Sequence, residues 1–185
     1  FNMTDLFLKT NKLFINISIR KGKGKKRKKK MSKKQIKWIV SDLDGTLLNK
    51  EHRISRETVQ AVRAAQNMGV ETIIVTGRMC RSAFPFYEQL NLKMPLVAYN
   101  GSFVKDIKQN KLLLHENLLG THACELIEIA HKEEVSIQVY VDDVLYTDRI
   151  TPYVQAYLDT DKVEANVVTD LMPIARKGPT KIILL

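Results

Sequence analysis

Two aspartates, Asp42 and Asp44, follow a short apolar run and are separated by a single leucine. Residues two apart in an extended chain point the same way, so both carboxylates face one site while the leucine points into the core. Gly45 permits a tight turn, and the backbone N–H groups of Gly45 and Thr46 can face an anion. The spacing predicts two carboxylates that face one site beside an anion-binding turn.

A second polar group, Thr76-Gly77-Arg78, follows the next apolar run along the chain. A hydroxyl, a glycine that allows close approach and a cation suit a phosphate, although Arg78 also suits an ion pair. Two carboxylates would repel that phosphate unless a hard divalent cation lay between them. The residues therefore predict a phosphate site at Gly45, Thr46, Thr76, Gly77 and Arg78, with Mg²⁺ at Asp42 and Asp44.

Strand, helix and strand patterns surround these two groups. A β-rich run at 36–40 is followed by a helix with Ser55 as its N-cap, and then by a strand at 70–75. This order predicts a βαβ unit and a parallel sheet, whose carboxyl ends bind ligands. The expected elements that follow are a helix at 82–90 and strands at 95–99, 103–105 and 111–115, with an Asn100-Gly101 turn between the first two strands.

After Glu116 the pattern becomes mixed α+β. Residues 121–132 form a predicted amphipathic helix, with Leu126, Ile129 and Ala130 on its apolar side. Asp142-Asp143 is a predicted turn between two strands. The remaining expected elements are a helix near 154–158 and strands near 163–168 and 181–185.

The segments WIVSDLDGTLL and IIVTGR together resemble the haloacid dehalogenase-like superfamily, and within it the Cof-type sugar-phosphatase group. The resemblance implies an α/β fold. Residues 36–116 would be part of a Rossmann-like parallel-sheet core, and residues 117–185 part of an inserted α+β cap domain.

The resemblance also implies a reaction and a role for each residue. The chain would be a Mg²⁺-dependent hydrolase that removes phosphate from small phosphorylated metabolites, sugar phosphates or similar. Asp42 would be the nucleophile that forms an aspartyl-phosphate, and Asp44 the general acid and base. Thr76 would hold the transferring phosphoryl group. The metal would bind the Asp42 carboxylate and the Asp44 backbone carbonyl.

Two motifs of that family have no match after Glu116. One is a lysine that follows the cap, for which Lys181 is a poor candidate because it precedes a strand inside the cap-like region. The other is an acidic loop that completes the metal site. We therefore expect a truncated form with an incomplete core and an incomplete cap. An inactive fragment or binding module, and a phosphotransferase or mutase on the same scaffold, are the alternatives.

The charge of this chain is concentrated at one end. Residues 1–30 contain eleven of the 30 Lys and Arg residues and a single acid, so residues 31–185 have a net charge of zero. The sequence therefore predicts no specific nucleic-acid partner and no membrane, and residues 1–31 form a disordered or non-native basic extension. Two cysteines without a motif favour the cytoplasm, and the oligomeric state stays open.

Overall fold

A computed structural model describes residues 36–185, so the basic extension predicted at 1–31 lies outside the described residues. The βαβ unit is present: β1 and β2 are parallel, with Trp38 opposite Glu71 and Ser41 opposite Ile74. A parallel bridge between Val75 and Val97 connects β2 to the next strand. The elements of this first half are β1 Trp38–Ser41, α1 Arg56–Asn67, β2 Glu71–Ile74, α2 Cys80–Gln89, β3 Leu96–Ala98, β4 Phe103–Asp106 and β5 Lys111–His115.

Local sequence signals explain where these elements begin and turn. The Ser55 hydroxyl accepts a hydrogen bond from Thr58 N at 3.2 Å, as expected for the N-cap of α1. Strands β3, β4 and β5 form an antiparallel meander. The connection from β3 to β4 is a tight turn in which Tyr99, Asn100 and Gly101 all have positive φ. The predicted Asn100-Gly101 turn is therefore present.

The second half of the chain forms its own sheet, in the order β8-β7-β6-β9. All five residues of the central strand β6 are buried. The prediction for α3 is partly wrong: Ala130 is buried, but Ile129 is 51% exposed, and Ala123 and Ile127 complete the inner face. The elements are α3 Gly120–Lys132, β6 Ile137–Val141, β7 Val144–Thr147, α4 Pro152–Asp161, β8 Ala165–Val167, α5 Met172–Ala175 and β9 Lys181–Leu184.

The two faces of β6 belong to two different apolar clusters. Ile137, Val139 and Val141 pack with α3 and α5. Tyr140, from the opposite face, joins the cluster that contains Leu43 and the core of the first half. The second sheet is therefore packed directly against the first half of the chain. None of the helices within residues 36–185 has the length and apolar character needed to span a membrane.

Candidate active site

Asp42 lies directly after β1, in extended conformation, at the carboxyl end of the parallel strands. Its Oδ1 accepts a hydrogen bond from Leu43 N at 2.7 Å. Leu43 is fully buried, which matches the alternation expected from the sequence. After Asp44 the chain turns at Gly45, whose φ is +68°, and the bond from Leu48 N to Leu43 O at 2.9 Å closes the turn.

Asp44 is held by Arg78 through two parallel hydrogen bonds. Arg78 Nε donates to Oδ2 and Nη2 donates to Oδ1, each at 2.7 Å. The guanidinium is 5% exposed, whereas the Asp44 side chain is 43% exposed. Such a bidentate pair fixes both the position and the orientation of the carboxylate. In this arrangement Arg78 is the ion-pair partner of Asp44, which is one of the two roles its sequence position allows.

The environments of Asp42 and Asp44 shift their pKa values in opposite directions. Burial is the main reason why the pKa of Asp42 is raised, and the hydrogen bond from Leu43 N opposes this. Hydrogen bonding to Arg78 is the main reason why the pKa of Asp44 is lowered. An unneutralised carboxylate with a raised pKa and an ion-paired one with a lowered pKa therefore lie two residues apart.

Thr76 and Gly77 follow β2 at the same edge of the sheet. The Thr76 side chain is buried, and its Oγ1 accepts a hydrogen bond from Arg78 N at 3.2 Å. A Cβ at Gly77 would come within 2.8 Å of Asn100 Oδ1, so the absence of a side chain lets Asn100 approach this loop. Gly45 and Thr46 are exposed in the turn after Asp44, and their role as phosphate ligands stays a prediction.

Three further residues reach the site that sequence reasoning did not assign to it. His52 Nδ1 lies 3.7 Å from Asp44 Oδ1, and Asp161 Oδ1 lies 3.6 Å from Arg78 Nη2. Lys181 Nζ donates a hydrogen bond to Gly77 O at 3.1 Å. Burial lowers the pKa of Lys181, and the nearby Asp161 opposes this. The contacts of Asp161 and Lys181 join residues far apart in sequence, so no local pattern indicates them.

The candidate site offers few carboxylate ligands for a metal ion. Across the described residues, 36–185, no three His, Cys, Asp or Glu side chains are grouped closely enough to hold one. Arg78 binds the Asp44 carboxylate, whereas the Asp42 carboxylate is in no ion pair among the described residues. The donors that these two residues can offer together are carboxylate and carbonyl oxygens, which are the type that Mg²⁺ prefers.

Residues 39–185 match the family model of the haloacid dehalogenase-like hydrolases. The chain belongs to this family. The resemblance drawn from the two aspartates and the Thr-Gly-Arg segment is thereby confirmed, including its Cof-type group.

Individual relatives and solved structures agree with the family match. Phosphatase YwpJ of Bacillus subtilis is 32% identical over 112 residues, which is 60% of this chain and 39% of the relative. Pyridoxal phosphate phosphatase YbhA of Escherichia coli is 32% identical over 116 residues, 63% of this chain and 43% of the relative. The crystal structure of TM0651 from Thermotoga maritima is 28% identical with a TM-score of 0.69, and the match covers 81% of this chain and 56% of that one.

The α/β fold with a Rossmann-like parallel sheet is confirmed by these structural neighbours. The chain spans about two fifths of the length of the curated relatives it matches.

Proposed function

We propose that this protein hydrolyses phosphate monoesters of small metabolites through an aspartyl-phosphate on Asp42. The observation that carries the proposal is the juxtaposition at one sheet edge. Asp42 and Asp44 follow β1, and Thr76-Gly77-Arg78 follows β2, its parallel neighbour. The named phosphatases among the relatives support the same reaction class. Sugar phosphates are the substrate class that the Cof-type resemblance favours.

In the first step, an oxygen of Asp42 attacks phosphorus and the bond from phosphorus to the leaving oxygen breaks. Asp44 gives its proton to that oxygen. In the second step, Asp44 takes a proton from water while the water oxygen attacks the phosphorus, which releases phosphate and restores Asp42. Thr76 and the backbone amides of Gly45, Thr46 and Gly77 bind the phosphoryl oxygens.

The ion pair between Arg78 and Asp44 favours the second step, in which Asp44 accepts a proton from water. It opposes the first step, in which Asp44 donates a proton to the leaving oxygen. An ion-paired Asp44 with a lowered pKa is ionised and ready to accept a proton, but it has none to donate. We propose that the arriving phosphate draws the Arg78 guanidinium away from Asp44. That movement neutralises the phosphate and lets Asp44 take up a proton. Arg78 is then both the ion-pair partner of the empty site and the phosphate ligand of the loaded one.

Mg²⁺ fits the oxygen donors present and would be held by the Asp42 carboxylate and the Asp44 backbone carbonyl. A bound Mg²⁺ would neutralise Asp42 and the phosphate dianion, which otherwise repel each other. Residence in the cytoplasm stays a prediction.

The test is a phosphatase assay of the complete gene product with Mg²⁺, on sugar phosphates and pyridoxal phosphate. Asp42→Asn is expected to lower kcat at least about a thousandfold, because an amide is a far weaker nucleophile. Asp159→Asn, at an exposed aspartate of α4, is the matched control and should turn over like wild type. Wild-type rates in Asp42→Asn, or no hydrolysis of any phosphate ester by the wild-type protein, would contradict the proposal.

A further inference from the structure

One carboxylate of the second half of the chain holds two elements of the first half. Asp143, in the turn between β6 and β7, accepts hydrogen bonds from Cys80 N and Arg81 N, each at 2.8 Å. Its Oδ1 also accepts a hydrogen bond from the hydroxyl of Tyr99 at 2.8 Å. The N-terminus of α2 and a buried aromatic side chain are therefore joined through Asp143.

The N-terminus of α2 has no side-chain cap from its own segment. Its N-cap residue, Met79, makes no side-chain hydrogen bond to the helix. The first amides of a helix have no acceptor within the helix, and a carboxylate both satisfies them and complements the helix dipole. Asp143 satisfies two of these amides, and Arg81 Nε lies 3.7 Å from Asp143 Oδ2. These contacts form only when the β6–β7 turn lies against α2.

Tyr99 connects this contact to the loop at 76–78. Tyr99 N donates to Arg78 O at 2.9 Å, and Asn100 N donates to Thr76 O at 3.0 Å. Tyr99 and Asn100 have φ values of 51° and 57°, in the left-handed region that residues other than glycine rarely adopt. Such a conformation persists only where surrounding contacts hold it. The hydrogen bond from the Tyr99 hydroxyl to Asp143 is one of those contacts.

Aromatic packing places Tyr99 between the two halves of the chain. The side chain is buried, and its ring centroid lies 6.0 Å from that of Tyr140 in β6, with the two rings nearly perpendicular. On the other side the ring lies 5.9 Å from Phe103 in β4. Burial, together with Asp143, raises the pKa of the Tyr99 hydroxyl, so it remains a hydrogen-bond donor near neutral pH.

We propose that Asp143 and Tyr99 are positioning residues that set the geometry of loop 76–78 when the second half of the chain is seated on the first. While Asp143 accepts the hydrogen bond from the Tyr99 hydroxyl, the backbone amides of Tyr99 and Asn100 donate to the carbonyls of Arg78 and Thr76. When the β6–β7 turn moves away from α2, the Tyr99 hydroxyl loses its acceptor, and the backbone hydrogen bonds from Tyr99 and Asn100 to loop 76–78 weaken. The inference rests on the proposed function, which assigns loop 76–78 to the phosphoryl group.

Amide hydrogen exchange, measured by NMR on the 185-residue chain, tests the coupling without any need for activity. Asp143→Asn should make the amides of Cys80, Arg81, Tyr99 and Asn100 exchange roughly tenfold faster, since it weakens the hydrogen bonds at both ends of the contact. Tyr99→Phe removes only the hydroxyl and should accelerate exchange at Tyr99 and Asn100. The amides of β6 should keep wild-type rates in both variants, which separates local loosening from global unfolding.

The matched control is Asp142→Asn, because Asp142 is the exposed neighbour of Asp143 in the same turn and also has a positive φ. It should leave every exchange rate unchanged. Wild-type exchange at Tyr99 and Asn100 in Tyr99→Phe would overturn the coupling, even if Asp143→Asn failed to fold.

A kinetic arm on the complete gene product tests positioning itself. Tyr99→Phe and Asp143→Asn should lower kcat about tenfold while KM stays within about twofold, and Asp142→Asn should match wild type. Faster exchange with unchanged kcat would overturn the positioning role. If no form of the protein hydrolyses a phosphate ester, the proposed function fails, while the exchange measurement still decides whether the two halves are coupled.

Discussion

Strand β1, which precedes the two aspartates, is less well covered than the central strand β6 of the second sheet. Within residues 36–185, β1 pairs along one edge only, with β2, and Trp38 and Ile39 are 38% and 37% exposed. Strand β6 pairs on both sides, with β7 and β9, and all five of its residues are buried.

This difference shows that the strand before the two aspartates and the most fully buried strand lie in different halves of the chain. A parallel pair of short strands is enough to bring Asp42 and Thr76 to one sheet edge. The second sheet contains β6, in which five consecutive residues are buried. The turn between β6 and β7 supplies Asp143, which binds α2 and Tyr99. The geometry of the candidate site therefore depends on contacts from the second half of the chain.

The largest expected difference is between truncations in the two strands. Ile137→Ala, in fully buried β6, should lower the free energy of unfolding by about 3 kcal/mol, because it removes methyl groups from a closed core. Ile39→Ala, in the partly exposed β1, should lower it by about 1 kcal/mol. Urea unfolding of the 185-residue chain measures both values. Equal losses would show that β1 is as well packed as β6.

An intermediate effect distinguishes the two aspartates in buffer without Mg²⁺. At pH 7, Asp44→Asn should destabilise the fold by about 1–2 kcal/mol, a value reduced for the exposure of Asp44, because the buried Arg78 loses its bidentate partner. Asp42→Asn should instead stabilise the fold, since burial raises the pKa of Asp42 and makes its ionised form unfavourable. The measurement is chemical denaturation of both variants. A stability loss in Asp42→Asn would contradict the opposite shifts.

The opposite pKa shifts of Asp42 and Asp44 set the direction in which the free energy of unfolding changes with pH. The pKa of Asp44 is lowered, so its stabilisation is present above the ordinary value of 3.8 and is lost as pH falls through the folded-state pKa. The pKa of Asp42 is raised, so its penalty is absent below 3.8, grows as pH rises from 3.8 to the folded-state pKa and is complete above it. As pH falls, the stability loss of Asp44→Asn and the stability gain of Asp42→Asn should therefore both shrink towards zero.

The smallest expected effect on stability comes from the basic extension. Deletion of residues 1–30 should leave the melting temperature unchanged, because the sequence predicts a disordered or non-native basic extension there. The same deletion should abolish retention on heparin, since the net positive charge of the chain lies in that segment. Salt-sensitive heparin binding that persists in residues 31–185 would show a basic surface elsewhere.

The sequence alone determined the features that depend on neighbours along the chain. Alternation placed Leu43 in the core and left Asp42 at the strand end, and Ser55 marked the N-cap of α1. Periods of two and of about 3.6 residues report local geometry, so they locate strands, helices and turns. They do not determine which of several apolar residues lie on the buried face of a helix. For this reason Ile129 was expected on the buried face of α3 but is exposed.

The tertiary structure alone decided which distant residues meet. Lys181, a poor candidate in sequence, reaches Gly77 O, and the carboxylate of Asp143 binds the amides of Cys80 and Arg81. The sequence left open whether Arg78 forms an ion pair, and the tertiary structure pairs it with Asp44. The physical reason is that such contacts join residues tens of positions apart. Their geometry follows from how two sheets pack together, and no local spacing encodes it.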